Sequence, residues 1–180
     1  AAAFLPLVAT AGEVRIGGTG NALGTMRQLG EAFGRLHPQA RPTVLDSIGS
    51  SGAIKAVTKK AIEIGLSSRP LTDDEARSGL VVVEYARSPT VFAVPETSTL
   101  TAITVRQVAD IYSGKTLAWP DGTPVRPVMR QPGDDNTRQI RQLSNELEKA
   151  LAIAELRPGL AFASTDQDAA DKMESTPGSM

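Results

Sequence analysis

The 180-residue sequence contains no cysteine and a single histidine. The absence of cysteine excludes disulfide bonds, thiolate metal sites and cysteine nucleophiles, although it does not fix the cellular compartment. One histidine cannot build a histidine-rich metal centre. We therefore expect neither a metal nor a cofactor. The net charge of −1 and the pI of about 5.9 also exclude an overall field that would attract nucleic acid or an anionic membrane.

Long apolar runs are scarce as well. The one conspicuous run is residues 1–11, AAAFLPLVATA, which ends in Ala-Thr-Ala before Gly12. It has the character of the tail of a secretory signal peptide, with an A-x-A cleavage site, and a disordered or packed N-terminal arm is the alternative interpretation. No run approaches the ~20 apolar residues that a membrane-spanning helix needs.

The composition that remains, 41% apolar and 22% charged, is typical of one or two small globular domains. Hydrophobic patterns and capping signals alternate between strand and helix, which indicates an α/β fold with mostly parallel strands. Strands are predicted at 13–18, 42–46, 62–66, 80–86, 90–94 and 125–130, and helices at 23–36, 52–60, from Thr72, from Thr104 to near Ser113, from 136 or 137 to about 156, and at 165–174.

Three strand-to-helix loops are rich in glycine and hydroxyl residues: residues 17–25, Ser47–Gly52 and Ser67–Pro70. Ligands of open α/β sheets bind beyond the carboxyl ends of the strands, where loops meet helix N-termini that favour anions. Because the three loops follow three successive strands, we expect them to meet at one point and to surround a small anion with hydroxyl and N–H donors. Arg69 in the third loop is a further candidate anion contact.

Each loop also has an alternative interpretation. The first resembles a dinucleotide fingerprint, but its third glycine, Gly24, comes one place late, and a tight turn without a ligand is equally simple. For the second loop, the alternative is that the serines only cap a helix. This loop has neither a Walker A ending nor a nucleophile elbow. The third loop would be a turn into the Thr72 cap.

Four segments together resemble the phosphate-binding proteins of ABC transporters, which are periplasmic type 2 solute-binding proteins. The segments are Ser47-Ile-Gly-Ser-Ser-Gly-Ala-Ile-Lys55, Ile64-Gly-Leu-Ser-Ser-Arg69, Ile111-Tyr-Ser-Gly-Lys115 with Trp119, and Thr176-Pro-Gly-Ser179. The resemblance implies two α/β lobes, here residues 12–88 and 89–180, with a ligand cleft between them. It also implies a non-enzymatic role in binding phosphate or a similar oxyanion, a permease partner and a periplasmic or extracytoplasmic location.

The resemblance also implies which residues bind the anion. The first lobe would contribute Thr19, Gly20, Asn21, Ser50, Ser51 and Ser68, and the second lobe Arg130. Two departures from the family pattern stand out. Ser68 occupies a position where the family often has an aspartate that accepts the phosphate proton, and Asp134 and Asp135 replace residues of a Gly-Ser-Gly-Thr loop.

These two aspartates leave three interpretations open. They stabilise a helix N-terminus, or one of them accepts a proton from the ligand, or the ligand is not phosphate. The family chain also continues beyond the Pro-Gly-Ser element, so we expect an incomplete sheet that favours self-association. The alternative functions are a degenerate sensor or interaction domain that binds no anion, and a small nucleotide-dependent enzyme.

Overall fold

A computed structural model describes residues 12–180, so the predicted signal remnant at 1–11 lies outside the described residues. The chain divides into two compact units, Ala1–Leu80 and Val81–Met180. The division falls earlier in the chain than the boundary after residue 88 that the resemblance implies.

The described part of the first unit is a three-stranded parallel sheet with helices. Strands β1 (Gly12–Gly18), β2 (Ala40–Val44) and β3 (Ile64–Leu66) are arranged in the order β2-β1-β3. Helix α1 (Leu23–Leu36) follows β1, α2 (Gly49–Thr58) follows β2 and α3 (Asp73–Ala76) follows β3. All three strands therefore present their carboxyl ends, and the loops after them, at the same edge. The core beside this edge consists of Ile16, Leu23 and Leu66.

The second unit has a two-stranded parallel sheet, β4 (Val128–Arg130) and β5 (Ala161–Ala163). Its helices are α4 (Val105–Tyr112), α5 (Asp135–Arg141), α6 (Asn145–Leu156) and α7 (Asp166–Ser175). Helices α4 and α6 supply most of a larger core, because both carry apolar residues on one face. Its buried members are Val108, Ala109, Ile111, Tyr112, Met129, Leu147, Ala150, Leu151, Ala154 and Met180.

Three of the predicted elements are wrong. Residues 80–86 and 90–94 do not form strands, and Val81 and Val83 are 90% and 74% exposed. Apolar β-branched residues become a strand only beside another strand, and among residues 12–180 no strand pairs with either segment. The predicted single helix from 136 to 156 is two helices, because Ser144 caps a new one by accepting a hydrogen bond from Leu147 N.

Within the described residues 12–180, no helix is long and apolar enough to cross a membrane. The helix starts predicted at Thr72 and Thr104 are confirmed, and each is a capping box with both of its reciprocal hydrogen bonds. Helix α1 has the predicted bounds.

Candidate functional site

The three glycine- and hydroxyl-rich loops meet at the carboxyl edge of the first-unit sheet. Ser68 N–H, in the loop after β3, donates to Ser50 Oγ in the loop after β2 at 3.0 Å. Ser68 Oγ lies 3.1 Å from Thr19 Oγ1 in the loop after β1. The predicted convergence of these loops is therefore confirmed, and it follows from the parallel order of the three strands.

Three polar side chains at this point form one hydrogen-bonded group, Thr19, Asn21 and Ser68. Thr19 Oγ1 donates to Asn21 Oδ1, and Ser68 Oγ lies 2.9 Å from the same oxygen. Thr19 and Ser50 are only 2% and 4% exposed. Buried hydroxyls fixed by several partners keep one orientation, which is the property a preorganised binding site needs.

Gly18 permits the close approach of β1 and β3 beside this group. Its φ is +156°, and a Cβ atom placed there would lie 2.1 Å from Leu66 O. With no side chain at Gly18, the next residue reaches across, and Thr19 N–H donates to Leu66 O at 3.0 Å. Gly20 lies in the turn that follows, which Ala22 N–H closes onto Thr19 O at 3.2 Å.

Two helices, α1 and α2, begin at this site, and they differ from the other described helices in their N-caps. Their N-cap residues, Ala22 and Ile48, make no side-chain capping hydrogen bond. The five other helices of residues 12–180 are each capped by a side chain, from Thr72, Thr104, Asp134, Ser144 and Thr165. The positive ends of α1 and α2 thus face the hydroxyl cluster without a side-chain oxygen in the capping position.

Helix α2 begins earlier than predicted, at Gly49 rather than Gly52. Ser50 and Ser51 are consequently in its first turn.

Arg69, the predicted anion contact of the third loop, is held by a carboxylate. Both of its terminal nitrogens donate to Glu75 at 2.8 Å, and Nη2 also donates to Ser51 Oγ at 3.0 Å. The hydrogen bonds from Arg69 and from Thr72 N–H hold the pKa of Glu75 at about 2, well below its usual value. The sequence pattern missed this pair, although a carboxylate at the third position of a capping box was a signal for it.

In the second unit, Arg130 ends β4 and is also paired with carboxylates. Its Nη2 donates to Asp134 Oδ2 at 3.1 Å, and its Nη1 lies 3.1 Å from Asp166 Oδ1. The side chain is only 11% exposed, and its Nε is buried without a hydrogen-bond partner in the described part of the chain. Its Nη1 also makes no hydrogen bond within the described residues, despite the ion pair with Asp166. Arg130 therefore lies in a largely compensated charge cluster that leaves two of its nitrogens without a hydrogen-bond acceptor.

The two adjacent aspartates have different roles. Asp134 caps α5, since its Oδ1 accepts from Asn136 N at 2.9 Å. Asp135 is buried, and Arg138 donates to it at 3.2 Å. The helix-stabilising interpretation is supported for Asp134, which simultaneously pairs with Arg130.

Asp166 was missed by the sequence interpretation. It is the first residue of α7, after the short strand β5 that runs parallel to β4. Burial raises the pKa of Asp166, and Arg130 partly opposes that shift. The apolar stretch 160–163 before the Thr165 cap was the signal for the strand, and a parallel strand there would have placed Asp166 beside Arg130.

The described residues contain no group of three or more histidine, aspartate or glutamate side chains that could hold a metal ion. The donors at the first-unit site are hydroxyl, amide and backbone N–H groups. Such neutral donors are suited to hydrogen-bonding an oxyanion, because their number substitutes for a net positive charge.

Comparison with known proteins finds a family model that matches nearly the whole chain and curated relatives that match about 60% of it. A family model described as a PBP superfamily domain matches residues 8–180. The chain is 27% identical over 112 residues to the phosphate-binding protein PstS 2 of Streptococcus agalactiae, covering 62% of this chain and 38% of that protein. It is 29% identical over 108 residues to PstS 2 of Streptococcus pneumoniae, covering 60% of this chain and 36% of that protein.

A crystal structure from Clostridium perfringens, described as a phosphate ABC transporter substrate-binding protein with bound phosphate, is similar in fold. The TM-score is 0.66 at 24% identity, over 93% of this chain and 68% of that one. The chain thus spans well under half the length of the curated relatives that it matches.

Proposed function

This chain belongs to the PBP superfamily, and from that premise we propose that it binds phosphate or a similar oxyanion as part of an ABC-transporter substrate-binding protein. The fold is of the type 2 periplasmic-binding-protein class, as the Clostridium perfringens structure shows. The observation that carries the proposal is the meeting of Thr19, Ser50 and Ser68 at the starts of α1 and α2. The family serves binding and transport, so no reaction is proposed.

The first-unit site supports an anion because hydroxyl groups from three loops and two helix N-termini are gathered at one point. Two helix N-termini without side-chain caps provide partial positive charge. The buried hydroxyls of Thr19 and Ser50 are held by neighbouring groups and lose little freedom on binding. Gly20, Asn21 and Ser51 complete the set that we assign to the ligand.

The second unit provides a separate candidate contact, argued from that unit alone. We assign Arg130 to the anion because its buried Nε is an unused donor among the described residues. Asp134, beside it, is assigned as the acceptor of a hydrogen bond from a protonated oxyanion. Hydrogen phosphate has such a proton and sulfate does not, so phosphate is the preferred ligand of the proposal. We also assign Asp135 to the ligand-binding set, because it is the first residue of α5, directly after Asp134.

Isothermal titration of the 180-residue chain with phosphate and with sulfate tests this function. We expect phosphate to bind more tightly than sulfate. Thr19→Val removes one hydroxyl without changing the side-chain volume much, and we expect it to weaken phosphate binding about 10- to 100-fold, the scale of a hydrogen bond to a charged group. Arg130→Ala should cost a similar factor.

The matched control is Thr58→Val. Thr58 lies at the far end of α2, and its hydroxyl donates to Ile54 O at 2.8 Å within the helix. It should leave the phosphate affinity unchanged. A parent chain that binds neither anion would contradict the proposal. The alternative of an interaction domain without anion binding would then be preferred, and the two carboxylates that already compensate Arg130 favour it.

Location and partners follow from the same proposal. We infer an extracytoplasmic protein that delivers its anion to a transporter permease. We also infer that the exposed apolar residues Val81–Val83 favour self-association of the isolated chain. Analytical ultracentrifugation measures this, and a monodisperse, highly stable monomer would contradict the self-association.

A further inference from the structure

We propose that Arg69 is a positioning residue that fixes the Ser51 hydroxyl as a hydrogen-bond donor to the ligand, and that Glu75 holds Arg69 in place. This inference rests on the proposed anion-binding function and names a residue outside the set assigned to the ligand. Arg69 acts through Ser51 and is not itself assigned to the anion.

The geometry of Arg69 is fixed on both sides of its guanidinium. Its two terminal nitrogens make parallel 2.8 Å hydrogen bonds to the two oxygens of Glu75. Nη1 also donates to Pro70 O at 2.9 Å. The side chains of Arg69 and Glu75 are 18% and 23% exposed. A bidentate pair of this kind, partly removed from water, restricts the guanidinium to one plane.

Glu75 is in turn held by the start of α3. Its Oε2 accepts from Thr72 N–H at 2.9 Å, and its own N–H donates to Thr72 Oγ1. Helix α3 follows the loop after β3, whereas Ser51 belongs to α2. The Arg69–Glu75 pair therefore connects two of the three loops that meet at the site.

The charge of Glu75 compensates that of Arg69, so the pair as a whole is neutral. A neutral pair attracts an anion weakly, yet the guanidinium keeps its directional N–H groups. One of these groups, on Nη2, points at Ser51 Oγ at 3.0 Å. Arg69 therefore acts on the site by orienting the Ser51 hydroxyl.

The chemistry of a hydroxyl decides which way Ser51 is oriented. A serine hydroxyl has one O–H donor and two acceptor lone pairs, and arginine can only donate. Arg69 therefore occupies an acceptor position of Ser51 Oγ, and the Ser51 proton must be directed to another group. Ser50 is treated alike, since Ser68 N–H donates to its Oγ at 3.0 Å. The Ser51 hydroxyl, in the first turn of α2, is thus set to donate.

This arrangement defines a specificity for the site. Oriented donors favour ligand oxygens that only accept, which are the ionised oxygens of an oxyanion. Without Arg69 the Ser51 hydroxyl is able to rotate and to donate elsewhere. The binding contribution of Ser51 should then be lost together with Arg69.

A double-mutant cycle measured by isothermal titration with inorganic phosphate tests the inference. We expect Ser51→Ala and the paired change Arg69→Ala with Glu75→Ala, which leaves no uncompensated carboxylate, each to weaken phosphate binding about 3- to 10-fold, and the triple variant to be no weaker than Ser51→Ala alone. A purely structural role would instead make the two effects multiply. Multiplying effects, or a Ser51→Ala variant with parental affinity, would overturn the inference.

Two further variants keep the result decisive. Arg15→Ala removes a comparable bidentate pair with Glu63 in the same unit, and that pair is exposed. It should leave phosphate affinity at the parental value. If the paired variant fails to fold, Arg69→Lys replaces it in the cycle, because one ammonium cannot reproduce both the Glu75 pairing and the Ser51 contact. Phosphate binding by the parent chain tests the proposed function separately, so binding with multiplying effects would overturn this inference alone.

Discussion

Replacing Gly18 by alanine should disrupt the edge of the sheet on which the site is built. The added Cβ would lie 2.1 Å from Leu66 O and 2.7 Å from Leu66 N. Strands β1 and β3 would have to separate by about 1 Å to bring these contacts beyond 3.0 Å. That movement would stretch the 3.0 Å hydrogen bond from Thr19 N–H to Leu66 O beyond the usual range.

The expected cost follows from these two effects. Overpacking costs about 1–3 kcal/mol, and the lost backbone hydrogen bond costs about 1 kcal/mol. We therefore expect Gly18→Ala to lower the free energy of unfolding by about 2–4 kcal/mol, a large part of the total for a small domain. Urea unfolding followed by far-UV circular dichroism measures this quantity. Phosphate affinity should fall as well, because Thr19 moves with the strand.

Two other glycines separate the causes. Gly49 has φ +67°, but a Cβ atom added there would meet nothing within 4 Å, so Gly49→Ala should cost only the conformational penalty of about 1–2 kcal/mol. Gly24 lies in α1 with open space and an ordinary helical φ, so Gly24→Ala should stabilise by up to ~1 kcal/mol. If Gly18→Ala proves no worse than Gly49→Ala, the steric reasoning is refuted.

Three further predictions concern charge and packing. Asp134→Asn keeps a helix cap, because asparagine caps as well as aspartate. The ratio of phosphate affinity to sulfate affinity, measured by isothermal titration, should nevertheless fall in Asp134→Asn and stay at the parental value in Asp135→Asn. The pKa of Glu75 is lowered from 4.5 to about 2. The ionised carboxylate therefore stabilises the fold above its unfolded-state pKa, and this contribution is lost as the pH falls through its folded-state pKa. In Glu75→Gln the free energy of unfolding should depend less on pH between these two pKa values. Leu147 is fully buried, so Leu147→Ala should cost about 2–5 kcal/mol in urea unfolding.

Each of these would be contradicted by a distinct result. An unchanged phosphate-to-sulfate ratio in Asp134→Asn would leave only the helix cap as the role of that aspartate. An acid limb identical in the parent and Glu75→Gln would mean that the ion pair with Arg69 contributes nothing to stability. A Leu147→Ala variant within about 1 kcal/mol of the parent would mean that the second core relaxes around the loss.

The first-unit site was predictable because its information is local. The glycines and hydroxyls near Thr19, Ser50 and Ser68 each follow a recognisable strand, and parallel strands bring their carboxyl ends to one edge. The meeting of these three loops could therefore be predicted without knowing which distant residues contact them. The start of α2 was predicted three residues late, at Gly52 and not at Gly49, because Ile48 is not a typical N-cap and helix ends are placed only approximately by propensity.

Features that depend on distant partners were not predictable from local pattern. Arg130 and Asp166 are brought together by pairing of β4 with β5, and the latter strand has only three residues. Val81 and Val83 have strong strand propensity, but propensity is expressed only where a neighbouring strand completes the ladder. The break between α5 and α6 at Ser144 was not predicted, because the residues on both sides of it favour helix.

The modest core of the first unit has a thermodynamic consequence for the cell. Among the described residues, its contiguous buried cluster contains only Ile16, Leu23 and Leu66, whereas ten residues form the cluster of the second unit. If the chain binds the anion as proposed, saturation at roughly 100 times the dissociation constant would add about 2.7 kcal/mol to the free energy of unfolding. Anion-starved molecules would open more often and be degraded faster by proteases, so the supply of the anion would set the amount of the protein that survives.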